Sequence, residues 1–85
     1  MKKIQQGDYR ALRACLKDMR KQSGLTQIKL AQVIGADQSD ISKIERGERR
    51  IDVVEFIYIC RALGISMEEF ISAFEAKLAE DDHSD

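Results

Sequence analysis

The segment QSDISKIER, at residues 38–46, combines two apolar residues with side chains that form specific hydrogen bonds. If Ile41 and Ile44 face inward on a helix, the opposite side presents an amide, two hydroxyls and an amine. An amide can bond adenine at two points, an amine can reach the acceptors of guanine, and a hydroxyl can serve either base. These groups belong to Gln38, Ser39, Ser42 and Lys43, with Arg46 on the same face, and they are suited to bonding the base edges of double-stranded DNA.

Residues that could carry out catalysis are sparse. The single histidine, His83, lies in an acidic segment, and neither Cys15 nor Cys60 has a base or zinc partner at a suitable spacing. Both cysteines fall in apolar helical stripes, which indicates small buried side chains. A capping box explains the carboxylates of MEEF at residues 67–70, and no glycine-rich phosphate loop is present. We therefore expect no enzyme activity, no metal and no cofactor.

The charges are unevenly distributed along the chain. The total is −1, but residues 1–50 contain 12 Lys and Arg against 6 Asp and Glu, whereas residues 51–85 contain 2 against 9. The predicted base-reading segment lies in the basic half, where a local positive surface suits phosphate binding. A solvated helix surface followed by an acidic tail fits the asymmetry equally well.

The length and composition indicate one all-α domain. The 85 residues include no proline, the apolar residues recur at helical spacing, and strand-like alternation is absent. No apolar run has the length of a signal peptide or a membrane span, and two cysteines are too few for a disulfide framework. We expect a protein of the reducing cytoplasm with no membrane partner.

Five helices are predicted from periodicity and from the residues that begin each one. Thr26, Asp37, Asp52 and Ser66 are the expected N-caps of the last four helices, because their side chains can accept hydrogen bonds from the first turn. Gly35 permits a sharp turn between the second and third helices. The expected divisions are an arm at 1–8, a domain at 9–79 with a helix-turn-helix at 26–46 and the last two helices at 52–79, and an acidic tail at 80–85.

Apolar periodicity also predicts which side chains face the interior. In the first helix, at 9–22, these are Leu12, Cys15, Leu16 and Met19. In the other helices they are Leu30, Ala31, Val33, Ile34, Ile41, Ile44, Val53, Phe56, Ile57, Cys60, Leu63, Met67, Phe70, Ile71, Phe74 and Leu78.

The segment GLTQIKLAQVIGADQSDISKIERGERRID resembles the helix-turn-helix domain of the Cro/C1 phage-repressor and xenobiotic-response-element regulators. The following FIYICRALGISMEEFI resembles the fourth and fifth helices of that family, so the resemblance covers about residues 9–70. It implies a five-helix, lambda-repressor-like fold and a transcriptional regulator of the repressor or autoregulator kind. The third helix of such a domain lies in the major groove, with its N-terminal residues against base edges. The resemblance therefore implies base contacts from Gln38, Ser39, Ser42 and Lys43.

The residues around the predicted recognition helix have further expected roles. Phosphate contacts are expected from Gln27, Arg46, Arg49 and Arg50, although Arg49 and Arg50 also fit ordinary solvated charge. The resemblance implies a structural ion pair between Arg20 and Glu45. Asp40 is unexpected on a helix that approaches phosphates, and it fits either helix capping and solvent or a bond from cytosine N4.

A domain of this size contacts few bases, so we expect a homodimer on a pseudo-palindromic operator. The expected interface contains Phe74 and Leu78 on the fifth helix and Val54 and Tyr58 on the fourth. The alternative is that the long fifth helix folds back onto its own core. A different function is also open: an antitoxin-like interaction module that binds a toxin, or a restriction-modification controller.

Overall fold

The computed structural model describes residues 3–82, and this part of the chain contains five α-helices and no strand. The all-α prediction is confirmed, and His83 lies outside the described residues. The helices are α1 at Gln6–Gln22, α2 at Gln27–Ile34, α3 at Gln38–Arg46, α4 at Val53–Leu63 and α5 at Met67–Asp82.

Three of the predicted N-caps form side-chain hydrogen bonds. The Thr26 hydroxyl accepts the N–H of Lys29 at 3.0 Å, and Asp52 accepts the N–H of Glu55 at 2.8 Å. At α5, Ser66 and Glu69 form the predicted capping box, with reciprocal bonds of 3.0 and 3.1 Å. These bonds satisfy N–H groups that would otherwise lack partners in the first turn of each helix. Asp37 stands at the N-cap of α3, but its side chain makes no such bond.

Two helix ends differ from the predicted bounds. Helix α1 begins at Gln6, three residues before the predicted start, where the carboxylate of Asp8 accepts the N–H of Gln5 at 2.9 Å. Helix α5 continues to Asp82, inside the predicted acidic tail. No glycine or proline follows Gly64, so nothing in the sequence interrupts this helix.

The core lies where α1 packs against α3 and α5, and where α2 packs against α3 and α4. Phe70 of α5 is fully buried and meets Phe56 of α4 edge to face, with ring centroids 4.7 Å apart. The predicted burial of Cys15 and Cys60 is confirmed, and burial raises the pKa of both thiols. The largest fully buried side chains are Phe70, Leu30, Ile59 and Cys60.

The predicted interior positions of Val33 and Val53 are wrong, because these side chains are 55% and 68% exposed. Residues 31 and 33 project about 200° apart around a helix, so the buried Ala31 turns Val33 toward solvent. Helix α4 is apolar on almost every side, and its periodicity therefore does not define the buried face. Ile59, which the predicted stripe omitted, is fully buried.

The apolar side of α5 is only partly covered. Phe70 is fully buried, and Phe74 and Leu78 are half-buried. Met67 and Ile71, which were also predicted to face inward, are exposed. The fifth helix therefore packs against its own core and still leaves apolar surface uncovered.

Candidate nucleic-acid interface

The turn at Gly35 fixes the position of α3 relative to α2. Gly35 has a φ of +74°, in the left-handed region that favours glycine, and only three residues separate the two helices. Ala31 of α2 and Ile41 of α3 are both 2% exposed, because the small alanine side chain lets the helices approach closely. This packing directs the polar side of α3 away from the core.

The outward side of α3 carries the residues predicted to contact bases. Gln38, Ser39 and Lys43 are exposed and Ser42 is half-buried, whereas the apolar residues Ile41 and Ile44 on the other side are buried. The structure therefore places an amide, two hydroxyls and an amine on one surface of one helix.

A chain of hydrogen bonds connects this surface to the interior. The amide nitrogen of Gln38 donates to Oε1 of Gln27 at 2.8 Å, and Gln27 donates to Oε1 of Glu45 at 2.9 Å. Because an amide nitrogen carries two hydrogens, the bond to Gln27 leaves Gln38 one N–H and its carbonyl oxygen for a base. The side chain of Gln38 is thus oriented before any ligand binds.

Arg20 and Glu45 form a two-point ion pair between α1 and α3. Nε of Arg20 lies 2.6 Å from Oε2 of Glu45 and Nη2 lies 3.0 Å from Oε1, while Nη1 donates to the carbonyl of Leu25 at 2.7 Å. The two side chains are only 8% and 3% exposed. Burial by itself raises the pKa of Glu45, but the hydrogen bonds from Arg20 and Gln27 outweigh burial, and the net pKa is lowered. The pair braces α3 against α1.

The three arginines predicted to contact phosphates all have intramolecular partners. Arg46 donates to Glu48 and to the hydroxyl of Ser42, and both members of the Arg46–Glu48 pair are more than half exposed. An exposed pair of this kind exchanges readily with solvent or another anion, because its net stabilisation is small. Arg46 can therefore be released to a phosphate at little cost.

Arg49 and Arg50 lie in the segment between α3 and α4. Arg49 makes a two-point ion pair with Glu55, a bond that raises the pKa of Arg49 and lowers that of Glu55. The guanidinium of Arg50 instead lies over the ring of Tyr9, 4.1 Å from its centroid. The sequence offered no signal for either contact, since Glu55 had no assigned role and Tyr9 was placed only at the start of the first helix.

The family model HTH_3, described as helix-turn-helix, matches residues 16–70. The chain belongs to this helix-turn-helix family. The Cro/C1-type resemblance drawn from the sequence is thereby confirmed. No curated protein matches the chain.

Three solved structures illustrate which proteins are similar to this chain. An XRE-family like protein from Pseudomonas syringae pv. tomato str. DC3000 is 41% identical, with a TM-score of 0.76 over 82% of this chain and 85% of that protein. The clp gene regulator ClgR from Corynebacterium glutamicum is 25% identical, with a TM-score of 0.80 over 88% and 80%. A point mutant of the restriction-modification controller protein C.Esp1396I is also 25% identical, with a TM-score of 0.81 over 85% and 96%.

Family and neighbours together identify the chain as a DNA-binding transcription regulator of the helix-turn-helix type.

In this helix-turn-helix domain Asp40 is half-buried, and its charge contributes to the raised pKa of Arg49, after the larger effect of the Glu55 bond. The capping bond that was one alternative for Asp40 is not among the bonds of the described residues. Across residues 3–82 no helix has both the length and the apolar character needed to cross a membrane.

Proposed function

We propose that this regulator recognises a specific DNA sequence by placing α3 in the major groove, and that it acts as a repressor or autoregulator. The observation that carries the proposal is the bond between Gln38 and Gln27, which orients a base-reading amide on an exposed polar surface. In this docking, Gln38, Ser39, Ser42 and Lys43 contact base edges. Occupancy of an operator then blocks or recruits RNA polymerase.

Phosphate contacts supply the sequence-independent part of the affinity. Gln27 begins α2, where its amide and the N–H groups of the first turn suit a phosphate oxygen. Arg46, Arg49 and Arg50 lie at or just after the end of α3 and neutralise further phosphates. Arg49 would share its guanidinium between Glu55 and DNA, so Arg50 is the better residue for a test. Each neutralised phosphate releases counterions, and binding therefore weakens as salt increases.

In vitro selection from a random duplex pool, at near-physiological salt, tests the proposal directly. Enrichment of a two-fold symmetric site is the expected result, and its half-site assigns the α3 side chains to bases. Binding without any enriched sequence would contradict sequence-specific recognition.

Two substitutions should separate base contacts from phosphate contacts. Lys43→Ala is expected to reduce the preference for the selected site over a random duplex by about 1–3 kcal/mol, with little change in random binding. Arg50→Ala is expected to weaken both duplexes alike and to lower the slope of log K against log salt by about one. Fluorescence anisotropy with both duplexes at several salt concentrations measures these effects. Equal losses on the two duplexes for both variants would argue against this division of roles.

We further propose that two copies associate through α4 and α5 and bind the two halves of the operator. Val54 and Tyr58 are 62% and 51% exposed on α4. Phe74 borders an apolar groove together with the exposed Val53 and Ile71, and Leu78 extends the apolar side of α5. Burying such a surface against a second copy removes apolar area from water, which favours association.

Val54→Glu is expected to shift the protein toward monomer in sedimentation experiments, while circular dichroism shows that the domain stays folded. Val54 is mostly exposed, so a charge there opposes association but disturbs little in the folded chain. Phe74 is less suitable, because it packs against the core as well. Val33→Glu is the matched control, since Val33 is 55% exposed on α2 and is not part of the proposed interface. An unaltered dimer in Val54→Glu would exclude this part of α4 from the interface.

The similarity to a restriction-modification controller favours the role of controlling a restriction-modification system. In that role the selected site would lie upstream of the protein's own gene and a neighbouring restriction enzyme gene. A neighbouring toxin gene would instead favour the antitoxin-like function. Sequencing the flanking DNA and testing the operator in a reporter assay distinguish these two roles.

A further inference from the structure

A cleft of about 280 Å³ lies between the N-terminal half of α1 and the segment that joins α3 to α4. Its inner surface is apolar and includes Leu12 and Leu16 of α1 and Ile44 of α3. Among the described residues that line it, three are arginines and none is acidic. Apolar walls lower the local dielectric and strengthen the field of charges placed around them.

Arg13 provides one of these charges. Its guanidinium lies against Gly47, where an added Cβ would be only 2.6 Å from Cζ of Arg13. Gly47 has a φ of +79° and ends α3, so the glycine both turns the chain and leaves room for the arginine. Arg13 is half-buried, and its guanidinium has no carboxylate partner within the described residues.

Arg50 is held in place without losing its donors. Its guanidinium lies over the ring of Tyr9 at 4.1 Å, and both residues line the cleft. Stacking uses the face of a guanidinium, whereas its five N–H groups lie in the plane and point outward from the edge. Arg49 also lines the cleft, but Glu55 neutralises it. The cleft therefore carries two positive charges, from Arg13 and Arg50, that no described carboxylate balances.

We propose that this cleft is a binding site for a phosphate-type oxyanion, with Arg13 as its main donor and Arg50 as the second. The inference rests on the proposed function in one respect: the segment after α3 already carries the predicted phosphate contacts, so a backbone phosphate of bound DNA is one source of the anion. Free phosphate or the phosphate group of a small molecule is the other source. In either case the anion-binding surface extends from the helix-turn-helix to α1, a helix to which the sequence assigned only a structural role.

Arg13→Gln tests the DNA source, and Arg10→Gln is the matched control, because Arg10 is exposed on the same helix and does not line the cleft. Binding to a random duplex is measured by fluorescence anisotropy at several salt concentrations. Arg13→Gln is expected to lower the slope of log K against log salt by about one, the value for one lost phosphate contact. Arg10→Gln is expected to leave the slope within about 0.3 of the wild type, and circular dichroism checks that both variants fold.

Titration with inorganic phosphate tests the free-anion source. Amide shifts of Gly47 and the residues around Arg13, followed by NMR, are expected to saturate in the wild type and in Arg10→Gln but not in Arg13→Gln. A changed salt slope supports the DNA source, and saturable phosphate shifts with an unchanged slope support the free anion. An unchanged salt slope together with no phosphate-induced amide shifts overturns the proposed anion site while leaving the proposed function intact. If the wild type bound no duplex, the proposed function would fail, and the phosphate titration alone would decide whether the cleft binds an anion.

Discussion

Replacing Glu45 with alanine is expected to lower the free energy of unfolding by about 3–5 kcal/mol. The loss is large because Arg20 would remain in the interior, 6% exposed, with no opposing charge. Gln27 would also lose the oxygen to which it donates at 2.9 Å. Chemical denaturation followed by circular dichroism measures the effect, with the midpoint and the slope reported separately.

Glu48→Ala is the control for this prediction. Glu48 also pairs with an arginine, Arg46, but both side chains are more than half exposed. A pair in water contributes little, so the expected change in unfolding free energy is below about 1 kcal/mol. A Glu45→Ala midpoint equal to that of the wild type would show that the buried ion pair does not stabilise the fold.

Glu45→Ala should also change how the free energy of unfolding depends on pH in the acid range. The folded protein holds the pKa of Glu45 below its ordinary value of 4.5, because the bonds from Arg20 and Gln27 outweigh the effect of burial. A lowered folded pKa gives stability that is present above pH 4.5 and disappears as the pH falls through the folded value. The gap in unfolding free energy between wild type and Glu45→Ala should therefore narrow below pH 4.5.

Gln38→Ala is expected to weaken binding to the selected operator by about 10- to 100-fold while changing random-duplex binding by less than about 3-fold. The expected loss corresponds to the roughly 1–3 kcal/mol that a two-point amide contact contributes to discrimination between bases. The loss should fall in this range because a 2.8 Å bond to Oε1 of Gln27 already orients the Gln38 amide in the free protein. Little binding energy is then spent on ordering the side chain.

Two further variants make the Gln38 result specific. Gln27→Ala removes the orienting bond and the proposed phosphate contact of Gln27 but leaves the base-reading amide of Gln38. It should therefore reduce affinity for the operator while retaining part of the base preference. Gln22→Ala is the matched control, since Gln22 is an exposed glutamine at the end of α1. Anisotropy titrations on the operator and on operators altered in each half-site base give the affinity and base preference of all three variants. A Gln38→Ala variant that kept the full base preference would remove Gln38 from the set of base contacts.

The sequence by itself determined the number and order of the helices, where α2, α3 and α4 lie, and which side of the third helix is polar. Thr26, Asp52 and Ser66 cap helices through bonds that reach only three residues along the chain, and Gly35 turns the chain within one short segment. Such interactions depend on neighbouring residues alone, so residue types and spacing predict them. The bounds of α3, Gln38–Arg46, follow from this local pattern.

The tertiary structure decided which apolar and charged side chains find partners. Helix α4 is apolar almost all round, so only its packing against α2 and α5 buried Ile59 and exposed Val53. The ion pair of Arg49 with Glu55 and the contact of Arg50 with Tyr9 join residues whose proximity depends on how the helices meet. The cleft beside Arg13 arises in the same way, because its walls come from α1, α3 and the segment after α3. Local spacing defines one face of one helix, whereas a cavity needs surfaces that only folding brings together.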